Sequence, residues 1–155
     1  MSVEICTVGG YSEVGKNMTA VKVNNDVVIL DMGLHLEKYI QYKGDEDVRK
    51  LTSSELQRVD AIPDDSAIRD WKKLVKLIVP THAHLDHVGA IPFMSNKYNA
   101  PIVCTPYTAE VIKSIVNLLY DLKEFEIRLK HYENAKSLRE QRSGSTKIGS
   151  RGPLV

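Results

Sequence analysis

The stretch LIVPTHAHLDHVGAIP, residues 77–92, places metal-type donors directly after an apolar run. Six consecutive residues of it hold three histidines and one aspartate, namely His82, His84, Asp86 and His87. Val75–Val79 has the composition of a buried strand that Pro80 ends, so the loop that follows is held in place and its side chains can be aimed. Imidazoles and a carboxylate crowd together most readily around a cation, which indicates a divalent metal site.

The spacing of these donors predicts two metals. In an extended segment, residues two apart point to the same side, so His82 and His84 are predicted to bind one metal together. Asp86 and His87 follow the turn and are predicted to address a second metal. Imidazole with carboxylate suits zinc, and manganese is the alternative. Because a two-metal site stabilises both the attacking and the leaving oxygen, the pattern favours phosphodiester cleavage.

Composition indicates one globular domain. The chain has 155 residues with 43% hydrophobic content, 26% charged content and a net charge of +1, enough to bury a core. No apolar run reaches the length of a membrane span, and MSVEICTVGG lacks a signal-peptide layout, so a cytoplasmic location without a membrane partner is expected. Cys6 and Cys104 lie in predicted strands outside any CxxC pair, which favours packing over a disulfide or zinc role.

The pattern along the chain mixes strands and helices. Strands are predicted at 3–8, 18–23, 27–30, 75–79 and 102–104, with Asn24 and its neighbours forming a hairpin turn. Helices are predicted after a cap at Ser53 or Ser54, after a cap at Asp65 or Ser66, over 88–98, and from Pro106 to about Arg142. The remainder of 34–65 reads as polar and poorly periodic. This mixture, with its antiparallel start, predicts an α/β (α+β) layered sandwich.

Beyond these patterns, THAHLDHVGAIP resembles the metal motif of the metallo-β-lactamase superfamily, in the form found in its β-CASP nuclease branch. GGYSEVGKNMTAV, residues 9–21, and LDMGLHLEKY, residues 30–39, resemble the ribonuclease J family, most closely the archaeal type. The similarity covers roughly residues 1–119. It implies a metallo-β-lactamase αβ/βα sandwich and zinc-dependent hydrolysis of RNA, running 5′-to-3′ as an exonuclease.

The resemblance also implies roles for individual residues. One zinc is expected on His82 and His84 and the other on Asp86 and His87, with Asp86 positioning the attacking water. Asp31 is expected to support the ligands rather than to bind metal. Three further residues are expected near the site: Glu13, Lys16 and Asn17. By contrast, the residues themselves leave two positions open for His35, at the mouth of the site or on the polar surface, and favour the surface. They indicate a helical, non-ligand position for His131.

The resemblance implies a division of the chain as well. Residues 1–127 correspond to the first half of the metallo-β-lactamase domain. Residues 128–155 hold seven Lys/Arg and two acids, and they are predicted to form a basic helical end and a flexible tail. The later half of the domain and the β-CASP cap are expected to be absent.

That division leaves two alternatives to a ribonuclease open. One is a non-catalytic or partner-binding half-domain, and the other is a small-molecule hydrolase of the same fold, such as a thioesterase. An apolar sheet face without its partner further predicts a homo-oligomer, or association with the missing C-terminal part.

Overall fold

The computed structural model describes residues 1–44, 51–119 and 129–131. Their strands form one six-stranded sheet in chain order. The strands are β1 Val3–Gly9, β2 Met18–Val23, β3 Asp26–Leu30, β4 Val75–Val79, β5 Ile102–Cys104 and β6 Leu129–His131. The first two pairings are antiparallel and the last three are parallel. The carboxyl ends of β3, β4 and β5 therefore share one edge, where α/β sheets usually bind ligands.

Helices connect these strands. They are α1 Leu36–Lys43, α2 Ser53–Arg58, a 3₁₀ helix Asp65–Leu74, α3 Leu85–Val88, α4 Ile91–Met94, a 3₁₀ turn Ser95–Lys97 and α5 Pro106–Leu119. Within the described ranges, none of them combines the length and apolarity needed to cross a bilayer. The predicted mixture of strands and helices is confirmed, as are the bounds of β2, β4 and β5.

Both predicted helix caps are wrong, because each helix is capped by the residue before the two candidates. Thr52 caps α2, because its hydroxyl accepts from the Glu55 amide at 3.2 Å while the Glu55 carboxylate accepts from the Thr52 amide at 2.9 Å. Ser54 has Gln57 at the spacing that such a reciprocal pair requires, but the Gln57 side-chain amide donates instead to the Pro63 carbonyl at 2.9 Å and to the Asp65 carboxylate at 2.7 Å. Asp64 caps the first 3₁₀ helix by accepting from the Ser66 amide at 3.0 Å.

The predicted helix over 88–98 is interrupted. It begins inside the motif as α3, breaks at Gly89 and Ala90, and resumes as α4. The break has a hydrogen-bonding cause, since the amide of Ala90 donates to the carbonyl of Met32 at 2.9 Å instead of continuing the α3 ladder. Pro92 then stands at the start of α4, where a missing amide hydrogen is tolerated.

The prediction of a helix from Pro106 to about Arg142 is confirmed over Pro106–Leu119. Leu129–His131 forms strand β6, which pairs in parallel with β5. The unpaired edge of β5 offers backbone hydrogen bonds that a continued helix could not satisfy. The helical placement of His131 is therefore wrong, and the rest of the predicted helix and tail lies outside the described residues.

The two faces of the sheet differ in burial. On one face Ile29, Ile78 and Ile102 are in register and at most 2% exposed, and they pack with the helices into the core. On the other face the side chains are apolar but incompletely covered, with Val3 57% and Ile5 66% exposed in the described part of the chain. The core is thus built on one side of the sheet.

Candidate metal centre

The four predicted ligands lie together beyond the carboxyl end of β4. Nε2 of His82 is 3.0 Å from Nδ1 of His84, and the rings of His82 and His87 have centroids 4.0 Å apart. Nε2 of His87 is 3.3 Å from a carboxylate oxygen of Asp86. The local fold explains this convergence, because His84 precedes α3 while Asp86 and His87 stand on its first turn.

These side chains meet without forming a preshaped cage. Across residues 1–44, 51–119 and 129–131, no three His, Cys, Asp or Glu side chains have the arrangement of a metal-holding set. The facing nitrogens of His82 and His84 are within hydrogen-bond distance of each other, so they do not point at a shared centre. The donor set of three imidazoles and a carboxylate nevertheless has the chemistry that zinc selects.

Asp31 orients His87 from behind. It follows β3 with a left-handed φ of 62°, which aspartate tolerates, and it is only 7% exposed. Its carboxylate accepts from the Thr81 amide at 2.7 Å and from the Thr81 hydroxyl at 3.0 Å. The other carboxylate oxygen is 2.9 Å from Nδ1 of His87. The Nδ1 proton is therefore directed to Asp31, which leaves Nε2 of His87 with the lone pair that a metal requires.

Thr81 extends the same arrangement to His82. Because its hydroxyl hydrogen is directed to Asp31, the Thr81 oxygen is left to accept from Nδ1 of His82, 3.0 Å away. Nε2 of His82 then carries the lone pair, as Nε2 of His87 does. One buried carboxylate thus sets both tautomers, so the residues present fit a metal ligand set.

Asn17 holds the motif from the opposite side. Its backbone amide donates to the Asp86 carbonyl at 3.1 Å. Its side-chain amide donates to the same carbonyl at 2.9 Å and to the Asp86 carboxylate at 3.1 Å. The side-chain nitrogen is also 3.2 Å from Nε2 of His87. The predicted proximity of Asn17 is therefore a direct contact, and it fixes the carboxylate expected to position water.

Sequence reasoning missed Gly33. A Cβ on this residue would lie 1.6 Å from the Asp86 carbonyl oxygen and 2.6 Å from the Asn17 nitrogen. The segment containing Gly33 lies against the motif, with Met32 donating to the His87 carbonyl at 2.8 Å. Only a glycine permits this approach of backbones. The sequence signal was a glycine two residues after the strand-end aspartate, in DMG.

The match to known proteins agrees with this geometry. Residues 12–116 match the family model described as the metallo-beta-lactamase superfamily. The chain belongs to the metallo-β-lactamase superfamily. The matched region contains Asn17, Asp31 and all four candidate ligands, and membership of this superfamily implies divalent metal ions.

Relatives of this superfamily member include several proteins named ribonuclease J. This chain is 44% identical over 128 residues to the ribonuclease J of Methanocaldococcus jannaschii, and the match covers 83% of this chain and 28% of that protein. Identity to the Pyrococcus abyssi protein is 42% over 135 residues, covering 81% and 29% respectively. Identity to ribonuclease J 1 of Streptococcus pyogenes is 32% over 112 residues, covering 72% and 17%. The chain thus spans less than a third of each of these relatives.

Glu13 and Lys16, the other residues predicted near the site, belong to an ionic network one step removed from the motif. Lys16 pairs with Glu13 at 2.7 Å and with Asp60, while Lys38 pairs with Glu13 at 3.1 Å and with Asp60. The hydrogen bond from Lys16 lowers the pKa of Glu13 against the opposing effect of burial, and Lys38 adds to the lowering. The network ties the loop that carries Asn17 to α1.

His35 also belongs to this region of the superfamily fold, and its prediction as polar surface is wrong. Its side chain is only 15% exposed and lies 3.7 Å from the Glu13 carboxylate. It caps α1 by accepting from the Lys38 amide at 3.4 Å. This cap was difficult to predict, because histidine is not among the residues most favoured at helix N-caps.

A cavity of about 700 Å³ opens beside the motif. Its polar lining consists of His35, Glu37, His84 and Asp86, and its apolar side chains include Val14, Leu36 and Leu85. Val14 is 87% exposed, so the apolar wall is accessible from solvent. A volume of this size accommodates a nucleotide-sized ligand next to the candidate ligands.

Proposed function

We propose that this chain supplies the metal-binding part of a divalent-metal-dependent ribonuclease. The observation that carries the proposal is the convergence of His82, His84, Asp86 and His87 beyond β4, with Asp31 and Asn17 holding them. Membership of the metallo-β-lactamase superfamily and the similarity to proteins named ribonuclease J support RNA as the substrate.

The proposed metals are two zinc ions, with manganese as the alternative. His82 and His84 would hold one ion once their rings turn out of the 3.0 Å contact between their nitrogens. Asp86 and His87 would hold the other, supported by their 3.3 Å separation. Bound metals of this kind lower the pKa of a water and stabilise developing charge on phosphate oxygens.

The chain's own residues would then orient the reactants. The Asp86 carboxylate, restrained by the Asn17 amide at 3.1 Å, would accept a hydrogen bond from the attacking water and hold it in line. Asp31 and Thr81 would keep Nε2 of His87 and of His82 unprotonated. The Thr81 amide holds the Asp31 carboxylate, and the Asn17 amide is bonded to the Asp86 carbonyl. Because these backbone contacts are already formed, little reorganisation is needed when substrate binds.

We further propose a cytoplasmic protein that degrades RNA from the 5′ end. The 5′-to-3′ direction rests on the resemblance to ribonuclease J. If the direction is correct, a 5′-labelled RNA releases its labelled mononucleotide before any other product. A 3′-labelled RNA is the matched substrate, since it would release its label only after the rest of the strand is degraded.

Self-association through the incompletely covered sheet face is also proposed. Val3 and Ile5 are more than half exposed on that face, and exposed apolar patches tend to mark interfaces. Light scattering should show a species larger than 17.4 kDa, reduced to a monomer by Ile5→Lys. The exposed helix position Leu118→Lys is the control, and a monodisperse wild-type monomer would contradict the proposal.

Two substitutions test the proposed site. His82→Ala and Asp86→Ala should abolish metal-dependent RNA cleavage, because each opens a metal shell without touching the core. Cleavage should be measured on the 155-residue chain and on any longer form, with zinc uptake measured by titration calorimetry. Asp70→Ala, an exposed carboxylate outside the motif, should leave both unchanged. Wild-type cleavage by either motif variant would refute the assignment, and cleavage of an acyl-thioester in place of RNA would favour the small-molecule hydrolase.

A further inference from the structure

The amino end of β4 carries a depression lined by lysines. Its volume is about 590 Å³, and its lining includes Lys72, Lys73, Lys76 and Lys97 but no carboxylate. We refer to these four residues and the space between them as the lysine depression. Three of the four side chains belong to exposed residues, and Lys97 is partly buried. Positive charge is therefore concentrated in a concave surface.

Few carboxylates compensate that charge. Lys72 and Lys73 form no ion pair with any residue that the structure describes, and Lys76 is 3.8 Å from an exposed Asp26 oxygen. Lys97 is held by Asp65 at 3.1 Å. Asp65 itself is engaged elsewhere, because it also accepts from the Tyr98 hydroxyl at 2.7 Å. The exposed ammonium groups of Lys72 and Lys73, and that of Lys76 beside its long contact with Asp26, are thus available to an external anion.

A second, smaller depression continues the first. Its volume is about 370 Å³, and it shares Lys72, Lys97 and Tyr98 with the lysine depression. It adds Arg69, but Asp64 and Asp65 also line it, so its charge is mixed. The uncompensated positive charge therefore lies in the lysine depression itself. Several lysines around one concave surface fit a chain of phosphates better than a single anion.

The chemistry of the lining favours nucleic acid over a protein partner. Lysine is depleted at protein–protein interfaces, which rely on buried aromatic or arginine anchors. Val75 is the one aliphatic residue in the lining of the lysine depression, and it is 7% exposed. Lysine ammonium groups on flexible stems, by contrast, are suited to phosphate oxygens without regard to base identity.

We propose that the lysine depression binds the phosphate backbone of single-stranded RNA, as an anchoring surface separate from the metal centre. This inference rests on the proposed ribonuclease function for the identity of the polyanion. The depression adjoins Val75, at the start of β4, and the motif follows the end of that strand at Val79. A strand of five residues spans roughly 16 Å, so only an RNA of several nucleotides reaches both surfaces.

The test is a salt titration of RNA binding by the full chain. The affinity of a fluorescein-labelled 12-nucleotide RNA is measured by anisotropy between 50 and 200 mM salt, roughly the range over which phosphate contacts dominate. The variant Lys72→Gln/Lys73→Gln/Lys76→Gln should reduce the slope of log affinity against log salt by about 2, because each lost phosphate contact contributes about 0.7. Lys43→Gln/Arg58→Gln/Lys113→Gln removes the same charge from other surfaces and should change the slope by less than about 0.7.

Each alternative outcome has a defined meaning. An unchanged slope in the lysine variant, or equal losses in the two triple variants, would overturn the proposal in favour of a general charge effect. Poly-glutamate is added as a competitor of the labelled RNA. If it displaces the RNA from the wild type as effectively as unlabelled RNA does, and this competition disappears in the lysine variant, the surface recognises acidic peptides. The RNA assignment then fails.

The design separates this proposal from the proposed ribonuclease. Asp86→Ala should lose cleavage while keeping the salt slope, and the lysine variant should still cleave a dinucleotide too short to reach the depression. If no form cleaves RNA but the slopes of the two triple variants differ as expected, the depression stands and the proposed ribonuclease fails. If the lysine variant loses dinucleotide cleavage, the depression is not a separate surface.

Discussion

The two ends of β4 bear polar residues in opposite arrangements. Beyond Val79, polar side chains are bonded to one another and to backbone, so that Asp31 alone accepts from Thr81 twice and contacts His87. Before Val75, lysine side chains extend into a depression with few partners. In the first arrangement each side chain has several fixed partners, so a substitution there is expected to destabilise the protein. The second supplies charge without fixed geometry, so the two ends should respond differently to substitution.

Gly33→Ala should have the largest effect. A Cβ would lie 1.6 Å from the Asp86 carbonyl oxygen, so the backbone must move, and we expect a loss of about 3 kcal/mol or more in the free energy of unfolding. Gly44→Ala is the control, because nothing lies within 4 Å of its Cβ and only its positive φ of 48° opposes the change. That strain alone should cost about 1–2 kcal/mol. Equal losses in urea denaturation would show that the close approach at Gly33 is unimportant.

Asp31→Asn comes next. The amide would face the Nδ1 proton of His87 with a donor, so a buried hydrogen bond to a charged group is lost, at a cost of about 2 kcal/mol. If His87 binds zinc as proposed, the zinc affinity should fall between about 10-fold and 100-fold, because the hydrogen-bond partner of its other ring nitrogen is removed. Calorimetric titration measures the affinity, and the exposed Asp26→Asn is the matched control. Unaltered zinc binding would contradict the role assigned to the Asp31 network.

Tyr98→Phe should cost somewhat less, about 1.5 kcal/mol at pH 7. Burial acts to raise the pKa of Asp65, but hydrogen bonds from Tyr98, Gln57 and Lys97 outweigh it and lower the pKa. A carboxyl group with a lowered pKa stabilises the fold above its unfolded pKa of about 3.9, and this contribution is lost as pH falls through the folded pKa. The difference between wild type and variant should therefore shrink below about pH 4. A pH-independent difference in thermal unfolding would argue against the hydrogen bond to a charged carboxylate.

The smallest effect on stability is expected for Lys72→Gln/Lys73→Gln/Lys76→Gln. Exposed side chains without close partners contribute little to folding, so the free energy of unfolding should change by less than about 0.5 kcal/mol per site. Chemical denaturation of the variant beside wild type measures this directly. A loss as large as that of Asp31→Asn would erase the contrast between the two ends of β4.

Sequence alone was most informative where one periodicity dominated. β2 and β4 have clear apolar patterns with sharp ends at Asn24 and Pro80, and their predicted bounds agree with the structure. The four candidate ligands could be found for the same reason, since donors crowded after a strand have few packing explanations. Their roles as ligands stay predictions.

Elements that depend on distant backbone contacts could not be found in this way. The break between α3 and α4 is caused by Met32, which lies more than fifty residues earlier. Helix α1 has no buried residue, so its weak apolar pattern gave no periodic signal. Strand β6 requires the edge of β5, and Gly33 requires the Asp86 carbonyl, and neither partner is visible in the local sequence.

The bonds between Asn17 and Asp86 have a consequence for the order of folding. They join residues 69 positions apart, so they form only after the N-terminal hairpin and β4 have docked in the same sheet. Closing so long a loop is entropically unfavourable until those strands compensate for it. The metal centre is therefore expected to assemble among the last parts of the domain, and a spectroscopic metal such as cobalt bound there would report the completed tertiary structure during refolding.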